Sequence, residues 1–162
     1  DPAGRLVAGG GANGPVRVWR VADQRPAFPA LAGQVPPITG TAFDSAGSFL
    51  AASSVLGGTR LWDPATGLGY SAELVSSAIP RSLEPSVDIA FPPLIRNAFS
   101  PDGKLLAVAG FVTRPMLWNV DPVVWRARAC AIVGRNLNRE EWKLYLPAGT
   151  RYRATCAQWP AG

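Results

Sequence analysis

Apolar positions in this chain recur in short paired runs. Leu6-Val7-Ala8, Phe49-Leu50-Ala51 and Leu105-Leu106-Ala107 each begin two residues after a glycine. A second run then ends in tryptophan, at Arg17-Val18-Trp19, Arg60-Leu61-Trp62 and Met116-Leu117-Trp118. Val16 to Trp19 alternates apolar and polar, the pattern of a half-buried strand. Before the first runs stand Asp1-Pro2-Ala3-Gly4, Asp44-Ser45-Ala46-Gly47 and Ser100-Pro101-Asp102-Gly103, where glycine supplies the positive φ of a tight turn. Each tryptophan lies fifteen residues after its glycine (Gly4 to Trp19, Gly47 to Trp62, Gly103 to Trp118), and Ala8, Ala51 and Ala107 lie four after it. The pattern predicts a repeated strand–turn–strand unit and an all-β first region spanning residues 1–122. One large ring per unit is expected to fill the contact between neighbouring sheets, and the alanines to mark where those sheets crowd together.

The glycines are 43 residues apart and then 56. The extra residues fall between Pro64 and Arg96, a segment holding Pro64, Pro80, Pro85, Pro92 and Pro93. It reads as an outer strand plus a long surface loop, either a tolerated insertion or a loop that carries binding.

The pattern changes in residues 123–162. Val123 to Val133 lacks glycine and proline and predicts a helix ended by Gly134, with Trp125, Ala129 and Ile132 on one face and Arg126 and Arg128 off it. A second helix starts at Asn138: Asn138 and Glu141 have capping-box spacing, Leu137 and Trp142 are placed as a hydrophobic staple, and Pro147 ends it. This tail holds the charge imbalance. Residues 1–122 are neutral, whereas Arg126, Arg128, Arg135, Arg139, Lys143, Arg151 and Arg153 face only Glu140 and Glu141, which accounts for the whole net charge of +5. Cations interleaved with Trp125, Trp142, Tyr145, Tyr152 and Trp159 suit an acidic protein surface or nucleic acid. The favoured reading is that the aromatics dock the tail on the last repeat while the cations stay solvated.

Candidate chemistry is sparse. The chain has no histidine, which removes Ser-His-Asp and Cys-His arrangements. Gly9-Gly10-Gly11-Ala12-Asn13-Gly14 satisfies the dinucleotide fingerprint, yet a strand follows it where the motif requires a helix, so it reads as a hairpin turn. Two cysteines without histidine cannot make a four-ligand zinc site. Cys130 and Cys156 could bridge and so close the tail; free thiols in a reducing compartment are the favoured expectation. The longest uncharged stretch, Pro26 to Phe43, carries several prolines and is no membrane-spanning helix. No catalytic residue, cofactor or metal is expected.

The Gly–Trp register and the Trp62-Asp63 dipeptide resemble WD-repeat proteins, over residues 1–122. The resemblance implies a partial β-propeller of about three blades, with Gly4, Trp19, Gly47, Trp62, Asp63, Gly103 and Trp118 as the structural repeat. Arg20 and Asn119 stand where that family commonly has Asp, the Gly-His pair is missing, and Ser53 or Ser54 would fill the serine role in an incomplete polar network. On this resemblance the chain opens inside a blade and ends as an open arc, N-terminally truncated. The first blade is expected to lack an inner strand and the last an outer one. The segment Ala129 to Pro147, with Tyr152 to Pro160, resembles the C-terminal end of large bacterial WD-repeat proteins of actinobacterial type. There a propeller follows a STAND-type nucleotide-binding, kinase or other effector domain. The resemblance implies a cytoplasmic, non-catalytic protein-interaction platform in a multidomain signalling protein, with an effector upstream in the same polypeptide and a protein partner. The seven tail cations are candidate partner contacts, with nucleic acid the weaker alternative. A propeller enzyme with a channel site is disfavoured for want of histidine and paired carboxylates.

Overall fold

The computed structural model describes residues 1–34, 36–54, 58–70, 74, 95–110, 113–146, 148–160 and 162. The chain forms two compact units, Asp1–Asn119 and Val120–Gly162. The first holds three antiparallel sheets: β1 (Leu6–Gly9) with β2 (Arg17–Arg20); β3 (Ile38–Phe43), β4 (Leu50–Ser54) and β5 (Thr59–Trp62) in that order; and β6 (Ile95–Phe99), β7 (Leu105–Gly110) and β8 (Thr113–Asn119) in that order. Gly10 to Val16 connects β1 to β2, so a strand does follow the glycine run.

The turn before each first run is built the same way three times. Gly4, Gly47 and Gly103 have φ of 67°, 71° and 69°. Their amides donate to the carbonyls of Asp1, Asp44 and Ser100 at 3.0, 3.1 and 2.8 Å. The side chain at the head of each turn then collects amides beyond the glycine. Asp1 takes those of Arg5 and Leu6 at 2.5 and 2.7 Å, Asp44 those of Ser48 and Phe49 at 2.7 Å, and Ser100 that of Leu105 at 2.9 Å. A short polar side chain that satisfies turn amides locally holds the turn without help from elsewhere.

Identical turns give identical register. The tryptophan pairs with the middle residue of the first run, as Val7–Trp19, Leu50–Trp62 and Leu106–Trp118. The residue before it pairs with the repeated alanine, as Ala8–Val18, Ala51–Leu61 and Ala107–Leu117. Because side chains alternate across a strand, each sheet has a tryptophan face and an alanine face. The sheets stack tryptophan face to alanine face, like propeller blades. Trp62, Leu50 and Ala52 share one buried cluster with Val18 of the first sheet and Val16 just before it. The alanine face of the second sheet meets the third: Asn97 Nδ2 donates to Ser53 Oγ at 3.0 Å and to the Gly40 carbonyl at 3.4 Å, and the rings of Phe49 and Phe99 stack at 6.3 Å. Approach is close at the inner strands. Thr39 Oγ1 donates to the Ile95 carbonyl at 3.0 Å, and a side chain at Gly40 would come within 2.9 Å of that oxygen. Trp62 is 1% exposed, whereas Trp19 and Trp118 are half-buried.

A second repeated turn follows β2 and β5. The amides of Gln24 and Gly67 donate to the carbonyls of Arg20 and Asp63 at 2.9 and 2.8 Å, and both residues have positive φ, 57° and 74°. The chain then returns along the outside of its sheet. Ala27 and Leu31 donate to the Val18 and Val16 carbonyls at 2.9 Å, and Tyr70 and Leu74 donate to those of Leu61 and Thr59 at 3.0 and 2.7 Å. Beyond Leu74, the expected long loop lies outside the described residues up to Ile95. The third repeat departs here. Asp121 accepts from the Val123 amide at 2.8 Å and is followed by Pro122, so the chain enters a helix where its counterparts turn back.

In the second unit, α1 spans Pro122–Val133 and is closed by left-handed Gly134; α2 spans Arg139–Tyr145 and has the full capping box between Asn138 and Glu141. Trp142 is buried. The face expected of α1 is corrected: Ile132 is 76% exposed, Ala129 is also exposed, Trp125 is half-buried, and Cys130 is the buried residue. The expectation of free thiols is corrected as well, since Cys130 is bonded to Cys156 with Cα atoms 5.5 Å apart. This tether, not apolar periodicity, chooses the buried face.

Two stability measurements check this account. Trp62→Ala should lower unfolding free energy by about 3–5 kcal/mol in a denaturant titration. Gly67→Ala should be destabilising, because φ is 74° and the added carbon would lie 2.8 Å from the Phe28 ring. Gly11→Ala, with open space around it, should be neutral or slightly stabilising in the same titration.

Candidate interaction surfaces

The three glycine turns stand at one end of the strands and cluster there. Ser45 Oγ donates to the Pro101 carbonyl at 2.7 Å, tying the second turn to the third. Phe43, Asp44, Ser45, Phe99, Ser100 and Pro101, with Asp1 and Pro2, line a hollow of about 380 Å³. The third turn is also held by charge: the Ser100 hydroxyl and the Lys104 amide stabilise the Asp102 carboxylate and lower its pKa. A larger cavity of about 640 Å³ opens nearby, between Arg5, Leu6, Val21 and Phe28 of the first repeat and Gly47, Pro64 and Ala65 of the second. Asp63 sits at the head of the turn after β5 and closes it, accepting from the Ala65 amide at 2.8 Å and the Thr66 hydroxyl at 2.9 Å. Its role is local, and Arg20 replaces it in the first repeat by bonding Asp23, from Nε at 3.1 Å and from Nη2 at 2.9 Å.

A polar chain runs across the second sheet and on to the third. Ser53 Oγ and Thr59 Oγ1 are 2.7 Å apart, and Asn97 reaches Ser53 from the next sheet. Ser53 and Thr59 lie on the alanine face, opposite Trp62, so their bonds link strands and sheets and do not serve the tryptophan. Asn97 carries no spacing signal that would have singled it out.

The seven candidate cations are all exposed within the second unit: Arg126 and Arg128 on α1, Arg135 between the helices, Arg139 and Lys143 on α2, Arg151 and Arg153 beyond it. Two are engaged inside the unit. Arg135 grips Glu141 through two hydrogen bonds of 2.7 and 2.6 Å, and the Arg139 guanidinium lies 5.1 Å from the Tyr152 ring centre. The unit is organised by a residue the sequence reading missed, Asn136, which is 3% exposed. Its carbonyl oxygen accepts from the amides of Thr155 and Cys156 at 2.9 and 2.8 Å. Its amide donates to the carbonyls of Cys156, Trp159 and Pro160 at 3.1, 2.8 and 2.8 Å. Trp142 Nε1 to the Thr150 carbonyl, Tyr152 Oη to the Leu137 carbonyl and Trp159 Nε1 to the Cys130 carbonyl complete the closure, at 3.0, 2.9 and 3.1 Å. Several tail aromatics are thus turned inward within their own unit. Among the described residues, no helix is long and apolar enough to cross a membrane.

No family model and no curated protein matches the chain. Solved structures do. The β-propeller domain of Cps50 (Swd1) from Myceliophteria thermophila aligns over 75% of this chain and 34% of its own, with TM-score 0.57 and 21% identity. The computationally designed Ika4 protein aligns over 72% of this chain and 61% of its own, with TM-score 0.54 and 16% identity. The designed Ika8 protein aligns over 73% and 31%, with TM-score 0.54 and 16% identity. The chain thus spans less than two thirds of each of these structures. The fold is a partial β-propeller followed by two short helices.

The second unit carries two measurable consequences. In the chain-entropy account, reducing the Cys130–Cys156 bridge should lower its stability by about 3–4 kcal/mol, read as an earlier loss of Trp142 fluorescence in denaturant with reductant. The hydrogen bonds from Arg135 and from the Asn138 amide pull Glu141 down to about 2. A carboxylate depressed in the fold stabilises above its unfolded value near 4.3 and loses that contribution as pH falls towards 2. Arg135→Ala should move the Glu141 midpoint upward in an NMR titration; an unmoved midpoint would contradict the pairing.

Proposed function

We propose that the arc is a non-catalytic platform for protein–protein interaction, the sensor or scaffold region of a multidomain bacterial signalling protein with its effector domain upstream in the same polypeptide. One observation carries the reading: the glycine turns are locked by their own side chains and the second is tied to the third, so they present a pre-formed surface at one end of the sheets. Binding to such a surface orders little new chain, which favours affinity. The propeller fold supports an interaction role in general. The signalling context rests on the tail's sequence resemblance. The cytoplasmic setting expected from the sequence is opposed by the Cys130–Cys156 bridge, because disulfides are rare in reducing compartments. Alkylation of the thiols on isolation decides that point.

The test uses a photocrosslinking amino acid at Ala46, in the turn cluster, and at Ala12, at the opposite end of the strands. A partner trapped from Ala46 and not from Ala12, purified and titrated, should lose at least about tenfold in affinity with Pro101→Arg. Equal trapping at both ends, or unchanged affinity, would refute the turn-end surface. The basic second unit supports a second reading, in which its exposed cations meet an acidic protein surface or, less favoured, nucleic acid. Arg126→Glu with Arg128→Glu should then weaken binding, and affinity should fall steeply with salt.

A further inference from the structure

The second unit consists of two stretches held together at few points. Residues 135–145 hold themselves: Asn138 and Glu141 cap α2 reciprocally, and Arg135 grips Glu141. Residues 150–160 contain no helix or strand. They lie against the first stretch through side chains: Asn136 to the amides of Thr155 and Cys156, Tyr152 to the Leu137 carbonyl, and Trp142 to the Thr150 carbonyl. This segment also covers Trp142, because the Tyr152 ring meets it edge-on at 5.3 Å. One covalent bond fastens the segment, and it does so at Cys156, whose amide and carbonyl Asn136 also binds. The bridge has an approach as well. Cys130 and Cys156 are buried, yet both line a hollow of about 200 Å³ made wholly by residues of this unit. Arg126 and Arg135 stand in its wall, with Ala129, Val133, Leu137 and Thr155. Arg135 shares its charge with Glu141, and Arg126 is exposed. A cation beside sulfur favours the thiolate form, both of an incoming thiol and of a departing one.

We propose that Cys130–Cys156 is a thiol-operated latch, opened in the native chain by a small anionic thiol that enters this hollow past Arg126. The incoming thiolate bonds to one cysteine sulfur as the S–S bond breaks, and the other sulfur leaves as a thiolate. A second thiol then displaces the first. The products are two protein thiols and a small-molecule disulfide, so two electrons pass from the thiols to the bridge. Opening the latch frees residues 150–160 and uncovers Trp142, because a unit of this size lacks the apolar core to keep the segment in place without the link. The first unit holds neither cysteine and keeps its fold in both states. A bridge that opens in this way suits a reducing compartment, where disulfides are transient and regulatory.

The test exposes the whole chain, without denaturant, to millimolar reduced glutathione and counts thiols by mass after alkylation. The bridge should open. The amides of Thr155 and Cys156 should then exchange hydrogen at least about tenfold faster, while those of β4 keep their protection. Arg126→Glu, at an exposed position, should slow opening by glutathione at least about threefold and leave opening by cysteamine, a cationic thiol, no slower. Arg126→Lys should keep the wild-type rate. A bridge that opens only in denaturant would overturn the proposal. So would opening without faster exchange at Thr155 and Cys156, or a rate indifferent to Arg126→Glu. A rate that Arg126→Lys lowers as far as Arg126→Glu does would overturn it equally, since charge would then not be the guide.

Discussion

The first unit depends on one contact, the tryptophan face of a sheet against the alanine face of the sheet before it. Strands of four to seven residues in sheets of two or three cannot bury enough surface to stand alone. Stacking supplies the missing cover, and the middle sheet receives it on both sides. That is why Leu50, Ala51, Ala52, Ser53 and Ser54 of β4 are all fully buried, while Val7 of β1 and Leu117 of β8 are exposed. Alanine and glycine at the contact let the sheets approach; tryptophan and leucine fill the space that remains. Stability in such an array is a sum over neighbouring contacts, with the ends weakest.

What was legible in the sequence was local or periodic. The fifteen-residue interval from glycine to tryptophan encodes a turn, two strands and their register together, because pairing counts outward from a turn whose geometry the Asp/Ser–Gly residues dictate. The α2 cap was legible for the same reason: Asn138 and Glu141 satisfy each other within four residues. What escaped was non-local. Nothing near Asn136 signals that its amide will gather groups from residues 155–160, and nothing in two cysteines separated by 26 residues reveals that this gathering brings them together. The face of α1 was misread because its apolar residues are scattered around the helix, leaving the tether at Cys130 to decide. Asn97 escaped because its role exists only where two sheets meet, and Thr59 because its partner Ser53 lies on the neighbouring strand.

These differences bear on function. A surface built from turns that satisfy their own amides is rigid before any partner arrives, and its shape is set by the stacking behind it. The second unit gains its order in another way, from one bridge, one buried amide and three aromatic side chains bonded to carbonyls. It is too small to rely on an apolar core alone. Its interior is taken by Trp142, Asn136 and the Cys130–Cys156 bridge, and its cations are exposed.

Native-state hydrogen exchange on the intact chain tests the stacking account most directly. If face-to-face contact is what stabilises the first unit, amides of β4 should be the slowest to exchange, with protection falling towards both β1 and β8. Uniform protection across the three sheets, or β4 exchanging as fast as the end strands, would contradict it.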